Sequence, residues 1–319
     1  MVDFTVLVIG AGKIGAFFDS PSDEAVLSHG HAFTRHPGFR LLGFVDTDLI
    51  KARQAALIWG GEAFESLDAA FEHHKVDVAV VAVPDEFHGQ TLNQLANYQL
   101  KCVFAEKPLA KSLHEAEKIT ALYREKNIPL AVNYMRRFVP EFVDLRSRIA
   151  SGEFGPFLGG SGYYGKGTLH NGSHLVDLLR YLLDEITAVT PLGCILDWNE
   201  NDPTCSAALG LSCGGQVIVQ AVDCRNFTLF ELDLLFAGKR VRILDSGFAI
   251  ELYDIEDSSL FTGYRILSGP LRLDTSLSTA LFSAAEAIHD CLTKAKPLAC
   301  GADDGVKAIE ICTRMIVEQ

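Results

Sequence analysis

Val6-Leu7-Val8-Ile9-Gly10-Ala11-Gly12-Lys13-Ile14-Gly15 is the stretch whose reading decides the fold. Four consecutive apolar residues, three of them β-branched, predict a strand buried on both faces. The glycines follow at once in G-x-G-x-x-G spacing. Gly10 allows a tight turn, Gly12 lets main chain approach a pyrophosphate, and Gly15 lets the next helix pack close to the strand. A phosphate would rest on the N–H groups that open that helix, with Lys13 and Ile14 in its first turn. The motif alone is weak, because glycines also end strands for structural reasons.

The bulk properties narrow the field. The chain has 319 residues, 48% hydrophobic and 22% charged, enough for two domains with cores of their own. Met1-Val2-Asp3 lacks a basic leader region and no apolar run is long enough to span a bilayer, so a cytoplasmic location is expected. The eight cysteines (Cys102, Cys194, Cys205, Cys213, Cys224, Cys291, Cys300, Cys312) form no C-x-x-C pair. Most lie in apolar runs, which predicts buried free thiols in a reducing compartment. A formal net charge of −13 argues against nucleic acid or an anionic membrane as partner.

After Gly15 the segment Ala16 to His36 contains Asp19-Ser20-Pro21-Ser22-Asp23-Glu24, an insertion or a divided helix beside the glycine turn. A second strand, Arg40 to Val45, ends on Asp46, where an adenosine ribose presents its hydroxyls. Asp48 is free to cap the following helix, Leu49–Trp59, so Asp46 takes the ribose role. An acid there repels a 2′-phosphate and favours NAD over NADP. Further strands at Val76–Val83, Cys102–Ala105 and Leu130–Asn133 alternate with helices at about His88–Tyr98 and Ser112–Lys126. That alternation specifies an α/β, doubly wound parallel sheet. Gly10, Asp46, Pro84 and Lys107 all fall at the carboxyl ends of strands, where such sheets bind ligands. That coincidence is more specific than the glycine motif.

From about residue 134 the character changes. Helices at Pro140–Ser151 and Ser173–Leu183 flank a strand at Phe157–Tyr164. Strands follow at Ala188–Leu196, Cys205–Ser212, Gln216–Cys224, Leu229–Ala237, Arg240–Leu244 and Phe248–Tyr253. Short turns between them predict a large open, mostly antiparallel sheet in an α+β domain. Two helices, Thr275–Thr293 and Ala302–Val317, close the chain. The expected division is residues 1–133 for dinucleotide and 134–319 for substrate and oligomerisation.

Six motifs in order carry a family resemblance. They are Gly10-x-Gly12-x-x-Gly15, Val83-Pro84-x-x-x-His88, Glu106-Lys107-Pro108, Arg136-Arg137-Phe138-x-Pro140, Gly152-x-x-Gly155 and Gly172-x-His174-x-x-Asp177. Over nearly its full length the chain resembles the Gfo/Idh/MocA oxidoreductases, the family of glucose–fructose oxidoreductase and inositol dehydrogenase. The resemblance implies a Rossmann domain followed by a domain with a large open sheet, and a homo-oligomer (dimer or tetramer) joined through that sheet. It implies NAD(P)-dependent transfer of a hydride between nicotinamide and a secondary hydroxyl or ketone of a sugar, polyol or nucleotide-sugar.

The residues agree with that chemistry. Oxidising a secondary alcohol needs a group to take the hydroxyl proton as the carbonyl forms. Lys107, at a strand's carboxyl end, is the candidate, with Glu106 orienting neighbouring groups and Val83, Pro84 and His88 beside the cofactor. His174 is the second candidate for proton transfer, and Asp177, three residues on, shares its helix face. His170, Asn171, Arg137 and Tyr164 are candidate substrate contacts. In many members an aspartate stands where this chain has His170, so a different hydroxyl pattern, a carboxylate or a diphosphate-linked sugar is open as substrate. Reduction of a non-sugar carbonyl or imine is one alternative, and a dinucleotide sensor or scaffold without turnover is another. His29-Gly30-His31 with His36 looks metal-like, but no second ligand pair at zinc spacing accompanies it, so no metal is expected. The segment reads instead as a helix start or a loop touching the cofactor.

Overall fold

The computed structural model describes residues 4–316. Met1-Val2-Asp3, read above as lacking a leader, and Val317, read as a helix end, lie outside the described residues. The chain divides into two units. One runs through Phe138 and adds Ser278–Ile309; the other is Val139–Leu277 with the chain from Glu310 on. The single boundary expected at 133/134 thus becomes a crossing and a return.

The first unit holds β1 (Phe4–Ile9), α1 (His29–Arg35), β2 (Phe39–Val45), α2 (Leu49–Trp59), β3 (Glu62–Phe64), α3 (Leu67–His73), β4 (Val78–Val81), α4 (His88–Leu95), β5 (Cys102–Ala105), α5 (Leu113–Glu125) and β6 (Leu130–Val132). Its six strands lie in the order β3-β2-β1-β4-β5-β6, every adjacent pair parallel. This is the doubly wound sheet expected, and strand order reverses between β1 and β4, the position where sheets of this kind bind ligands. All six residues of β1 are buried, as a central strand covered on both faces requires. Side chains of Asp48, Ser66 and Ser112 cap α2, α3 and α5, so three helix starts are specified locally. The short edge strand β3 was not expected, since Glu62-Ala63-Phe64 shows no period of its own.

Two glycines of the opening motif are required by close approach. Gly10 has φ +100°, and a Cβ there would fall 2.5 Å from the Ala82 carbonyl oxygen. At Gly15 a Cβ would fall 1.9 Å from the Gly10 carbonyl oxygen. The helix expected directly after Gly15 is only one wide turn, Lys13–Phe17. The chain then leaves as a loop, and helix proper resumes at α1 (His29–Arg35). Asp19 organises that loop. Its carboxylate accepts from Leu27 N (2.5 Å), Ser28 N (3.2 Å), Ser28 Oγ (2.5 Å) and His31 Nδ1 (2.9 Å). Trp59 pins it from α2, donating Nε1–H to the Ala16 carbonyl at 2.8 Å and stacking on His31 at 5.0 Å.

The second unit contains α6 (Pro140–Ala150), β7 (Phe157–Tyr164), α7 (Ser173–Leu182), β8 (Ile186–Asn199), β9 (Asp202–Leu211), β10 (Gln216–Ala221), β11 (Phe230–Phe236), β12 (Lys239–Leu244), β13 (Ala249–Asp257) and β14 (Arg265–Asp274). The sheet order is β14-β13-β12-β11-β7-β10-β9-β8, antiparallel except for the β7–β10 pair. Along β11, Phe230, Leu232, Leu234 and Phe236 are buried while Leu235 points outward, the alternation of a sheet covered on one face. Strand β14 was not expected because Gly269-Pro270 interrupts it; an edge position tolerates that proline. Of the last helices, α8 (Ala280–Lys294) belongs to the first unit, where His289 packs on His36 and Phe39, and α9 spans Ala302–Met315.

The cysteine reading needs correction. Antiparallel pairing sets Cys194 directly opposite Cys205, and the two form a disulfide. Register across a hairpin, which spacing alone does not reveal, brings them together. Cys102, Cys300 and Cys312 are buried free thiols as expected, whereas Cys213 is exposed. The thiol argument for a reducing compartment therefore covers only part of the set. Among the described residues no helix is long and apolar enough to cross a membrane.

Candidate functional site

In the first unit the carboxyl edge of the sheet gathers most of the expected cofactor residues. Gly10, Gly12, Lys13, Ile14 and Gly15 form the turn after β1. Space around Gly12 is open, with no atom within 4 Å of where a Cβ would sit, so the surface there can take a bulky group close to main chain. Asp46, just past β2, accepts from Ala11 N at 2.8 Å with one oxygen and from Asp48 N at 2.9 Å with the other. The acid thus ties the glycine turn to the end of β2. Asp48 caps α2 through Ile50 N, as the sequence suggested.

His88 is fully buried, and its two ring nitrogens meet main-chain carbonyls, Nδ1 that of Pro108 (2.6 Å) and Nε2 that of Val83 (3.0 Å). It joins the turn after β4 to the turn after β5. The expectation of a cofactor contact is corrected: burial makes His88 a fastener for the Val83-Pro84 and Glu106-Lys107-Pro108 segments. Lys107 is half-buried at the end of β5. Glu106 also departs from a cofactor contact, because its carboxylate turns inward. Oε1 accepts from His29 Nε2 at 2.9 Å and from Asn133 Nδ2 at 2.6 Å. Burial alone pushes this carboxyl up; the hydrogen bonds from His29 and Asn133 and the charge of Lys107 outweigh it and hold the group below the ordinary glutamate range. Asn133 was missed as a site residue, and His29 was read only as part of a helix start or a loop touching the cofactor. Asn133 had a signal, its place at the carboxyl end of a strand, but nothing near His29 marks a partner 77 residues away.

Arg137 was expected to touch substrate. Its guanidinium instead pairs with Asp304 at 3.0 Å and is largely buried, which fastens the segment after β6 within the first unit.

The second unit builds a different cluster around the wide turn Thr168–Gly172 that leads into α7. The tip of the β8–β9 hairpin holds it. Asp202 accepts from Leu169 N and His170 N, both at 2.8 Å, and Gly167 N donates to Thr204 Oγ1 at 2.7 Å. Asp197 takes Lys166 N at 2.9 Å and Cys224 N at 3.1 Å. Burial pushes the Asp202 carboxyl up against these bonds, whereas for Asp197 the hydrogen bonds from Thr204, Lys166 and Cys224 overcome burial and pull it down. The His170 ring stacks on Trp198 at 5.4 Å, and the Lys166 ammonium lies 4.5 Å from the same indole. Trp198, Asp197 and Asp202 were not anticipated, because hairpin tips carry no motif. Asn171 donates its amide N–H to the Gly165 carbonyl at 2.8 Å and so braces the turn.

Tyr164 is corrected from pocket wall to core. It is 0% exposed, and its hydroxyl donates to the Cys205 carbonyl at 2.5 Å. His174 is half-buried on α7, and Asp177, at 2% exposure, is enclosed, which suits orienting a neighbour better than meeting a ligand. Among the described residues no group of three or more His, Cys, Asp or Glu side chains is placed to hold a metal.

Comparison with known proteins follows the same division. A family profile described as "Oxidoreductase family, NAD-binding Rossmann fold", GFO_IDH_MocA, matches residues 4–134. The scyllo-inositol 2-dehydrogenase (NAD(+)) of Bacillus subtilis (strain 168) is 29% identical over 206 residues, 60% of this chain and 57% of that protein. The inositol 2-dehydrogenase of Leifsonia xyli is 32% identical over 158 residues, 49% of this chain and 43% of its own length. These matches span about half the length of the relatives. The WlbA dehydrogenase from Bordetella pertussis, solved with NADH and UDP-GlcNAcA, superposes with TM-score 0.76 at 17% identity, covering 98% of this chain and 95% of that one. The last likeness establishes a shared fold over both units. Residues 4–134 are thus similar to the NAD-binding Rossmann domain of the Gfo/Idh/MocA oxidoreductases.

The Glu106 carboxylate yields a prediction with a definite sign. A carboxyl held below its unfolded value contributes stability that is complete above the ordinary glutamate pKa, about 4.3, and is lost as pH falls through the lower folded value. Glu106→Gln removes the charge and keeps the shape. Its urea midpoint should lie below that of the parent at pH 7.5, and the gap should narrow as the pH is taken below 4. An unchanged gap would show that the carboxylate is not the stabilising form.

Proposed function

We propose that the chain is an NAD-dependent oxidoreductase that moves a hydride between the nicotinamide and a secondary hydroxyl or ketone of a sugar, polyol or nucleotide-sugar. The observation that carries this is one sheet edge: the glycine turn after β1, Asp46 after β2, Val83-Pro84 after β4 and Lys107 after β5 stand side by side. The turn from Gly10 to Gly15 would hold the pyrophosphate with main-chain N–H groups, since only one helical turn follows it. Asp46 would accept from the ribose hydroxyls, and its charge selects NAD over NADP. When bound, nicotinamide supplies the hydride acceptor or donor.

The chain's own residues handle the proton. In the oxidative direction Lys107, as the free amine, takes the hydroxyl proton at Nζ while the carbon–oxygen double bond forms, and releases it to solvent afterwards. In reduction the ammonium returns it to the oxygen. His174 is assigned proton transfer or a hydrogen bond to the reacting oxygen, with Asp177 orienting it. His170, the Trp198 indole and the Lys166 ammonium offer flat faces and positive charge, which favours a substrate with an anionic or flat group, as in a nucleotide-sugar. The relatives' activities on inositols, and the uridine-linked sugar bound to a protein of this fold, support the same substrate range.

We also assign the outward face of the second sheet to a homo-oligomer, dimer or tetramer. Tyr163, Ile218 and Leu235 are exposed there beside a ladder of Asp233, Arg240, Arg242 and Glu251.

Free inositols and uridine-linked sugars, screened by nicotinamide absorbance, should give turnover with at least one class. Lys107→Ala should then bind NADH with unchanged affinity and lose at least about 100-fold in kcat. Unchanged kcat removes Lys107 from the mechanism, and dinucleotide binding without turnover across the panel supports a sensor instead. Light scattering should return a multiple of the chain mass, and Leu235→Asp should lower it; a monomer at micromolar concentration refutes the interface.

A further inference from the structure

The segment 16–36 has so far no purpose in the proposed chemistry, yet it delivers an imidazole to the residue beside Lys107. His29 opens α1 and is wholly buried, with its ring edge-on to Phe104 at 5.3 Å. Its Nε2 lies 2.9 Å from Glu106 Oε1. The other nitrogen, Nδ1, is buried without a hydrogen-bond partner among the described residues. Nε2 is the nitrogen placed to donate to the carboxylate, which can only accept.

This placement depends on the loop. Asp19 gathers Leu27 N, Ser28 N, Ser28 Oγ and His31 Nδ1 around one carboxylate, and the Ser28 hydroxyl caps α1 by accepting from His31 N at 3.3 Å. His29, between Ser28 and His31, is therefore fixed at its backbone. The anchoring is stronger than a surface excursion requires.

We propose that His29 is a positioning residue for Lys107, holding Glu106 charged and in one rotamer beside the lysine. Titratable groups facing Glu106 are His29 from α1 and Lys107 next in the chain; Asn133, past β6, adds a neutral donor. Without His29 one amide remains to stabilise a buried anion, so the carboxylate takes up a proton more readily. Lys107 then loses the charge of the carboxylate next to it in the chain, and the amine that exchanges the proton is no longer tuned by it. The inference rests on the reading of Lys107 as the proton-handling group.

Two variants separate positioning from bulk. His29→Leu keeps volume and removes the donor; His29→Gln keeps a donor. Isotope-edited infrared spectroscopy with ¹³C-labelled glutamate reads Glu106 directly, with Glu106→Gln identifying the band. In His29→Leu the protonated-carboxyl band should appear at a pH higher by about one unit or more, the worth of a hydrogen bond to a charged group. His29→Gln should restore most of the shift. On whichever substrate the panel identifies, kcat should fall about tenfold in His29→Leu with KM and NADH affinity little changed, and recover in His29→Gln. An unmoved infrared band in a folded His29→Leu variant overturns the proposal, and so does equal loss in both variants. If Lys107→Ala keeps its turnover, the mechanism fails while the infrared result still reports on His29 and Glu106.

Discussion

Hard contact between the turn after β1 and the start of the β4 exit is the constraint on which the first unit depends. A Cβ at Gly10 would fall inside the Ala82 carbonyl, and one at Gly15 inside the Gly10 carbonyl. Only glycine lets the two strands diverge so tightly at the switch point. From that point the other parts take their places: Asp46 ties the turn to β2, and His88 fastens the ends of β4 and β5. Lys107 therefore stands on an edge whose neighbouring turns are all bonded to one another. Such preorganisation is what the proton-handling role proposed for Lys107 needs, because misplacement by an ångström costs heavily in rate.

Much of this was legible in the residues, and the parts that were share a cause. Strand ends announce themselves, since an apolar run must stop somewhere and the residue after it is conspicuous: Gly10, Asp46, Pro84, Lys107. Helix starts at Asp48, Ser66 and Ser112 are likewise local signals. What stayed hidden is set by tertiary register. The bond from His29 to Glu106, the pairing of Cys194 with Cys205 and the enclosure of Tyr164 all join positions whose neighbourhood in sequence says nothing of the partner. His88 shows both sides. Its motif was visible, but its burial was not, and burial turns an expected contact into a fastener.

The second unit shows the same contrast. Its sheet was readable from alternation, while the hairpin tip that holds residues 165–171 was not. There Asp197 and Asp202 accept main-chain N–H groups, and Trp198 lies between Lys166 and His170. His170, where many members of the family that the sequence resembles carry an aspartate, left open in sequence a different hydroxyl pattern, a carboxylate or a diphosphate-linked sugar as substrate. In the structure the imidazole lies against an exposed indole, so the position has acquired a flat aromatic surface.

If the carboxyl edge of the first sheet binds NAD as proposed, the glycine turn and Asp46 set its preference between the two dinucleotides. Fluorescence titration of the intact chain with NADH and NADPH tests it most directly. NADH should bind at least about tenfold more tightly than NADPH, since the 2′-phosphate would face the Asp46 carboxylate. Tighter binding of NADPH, or no binding of either dinucleotide, would contradict it.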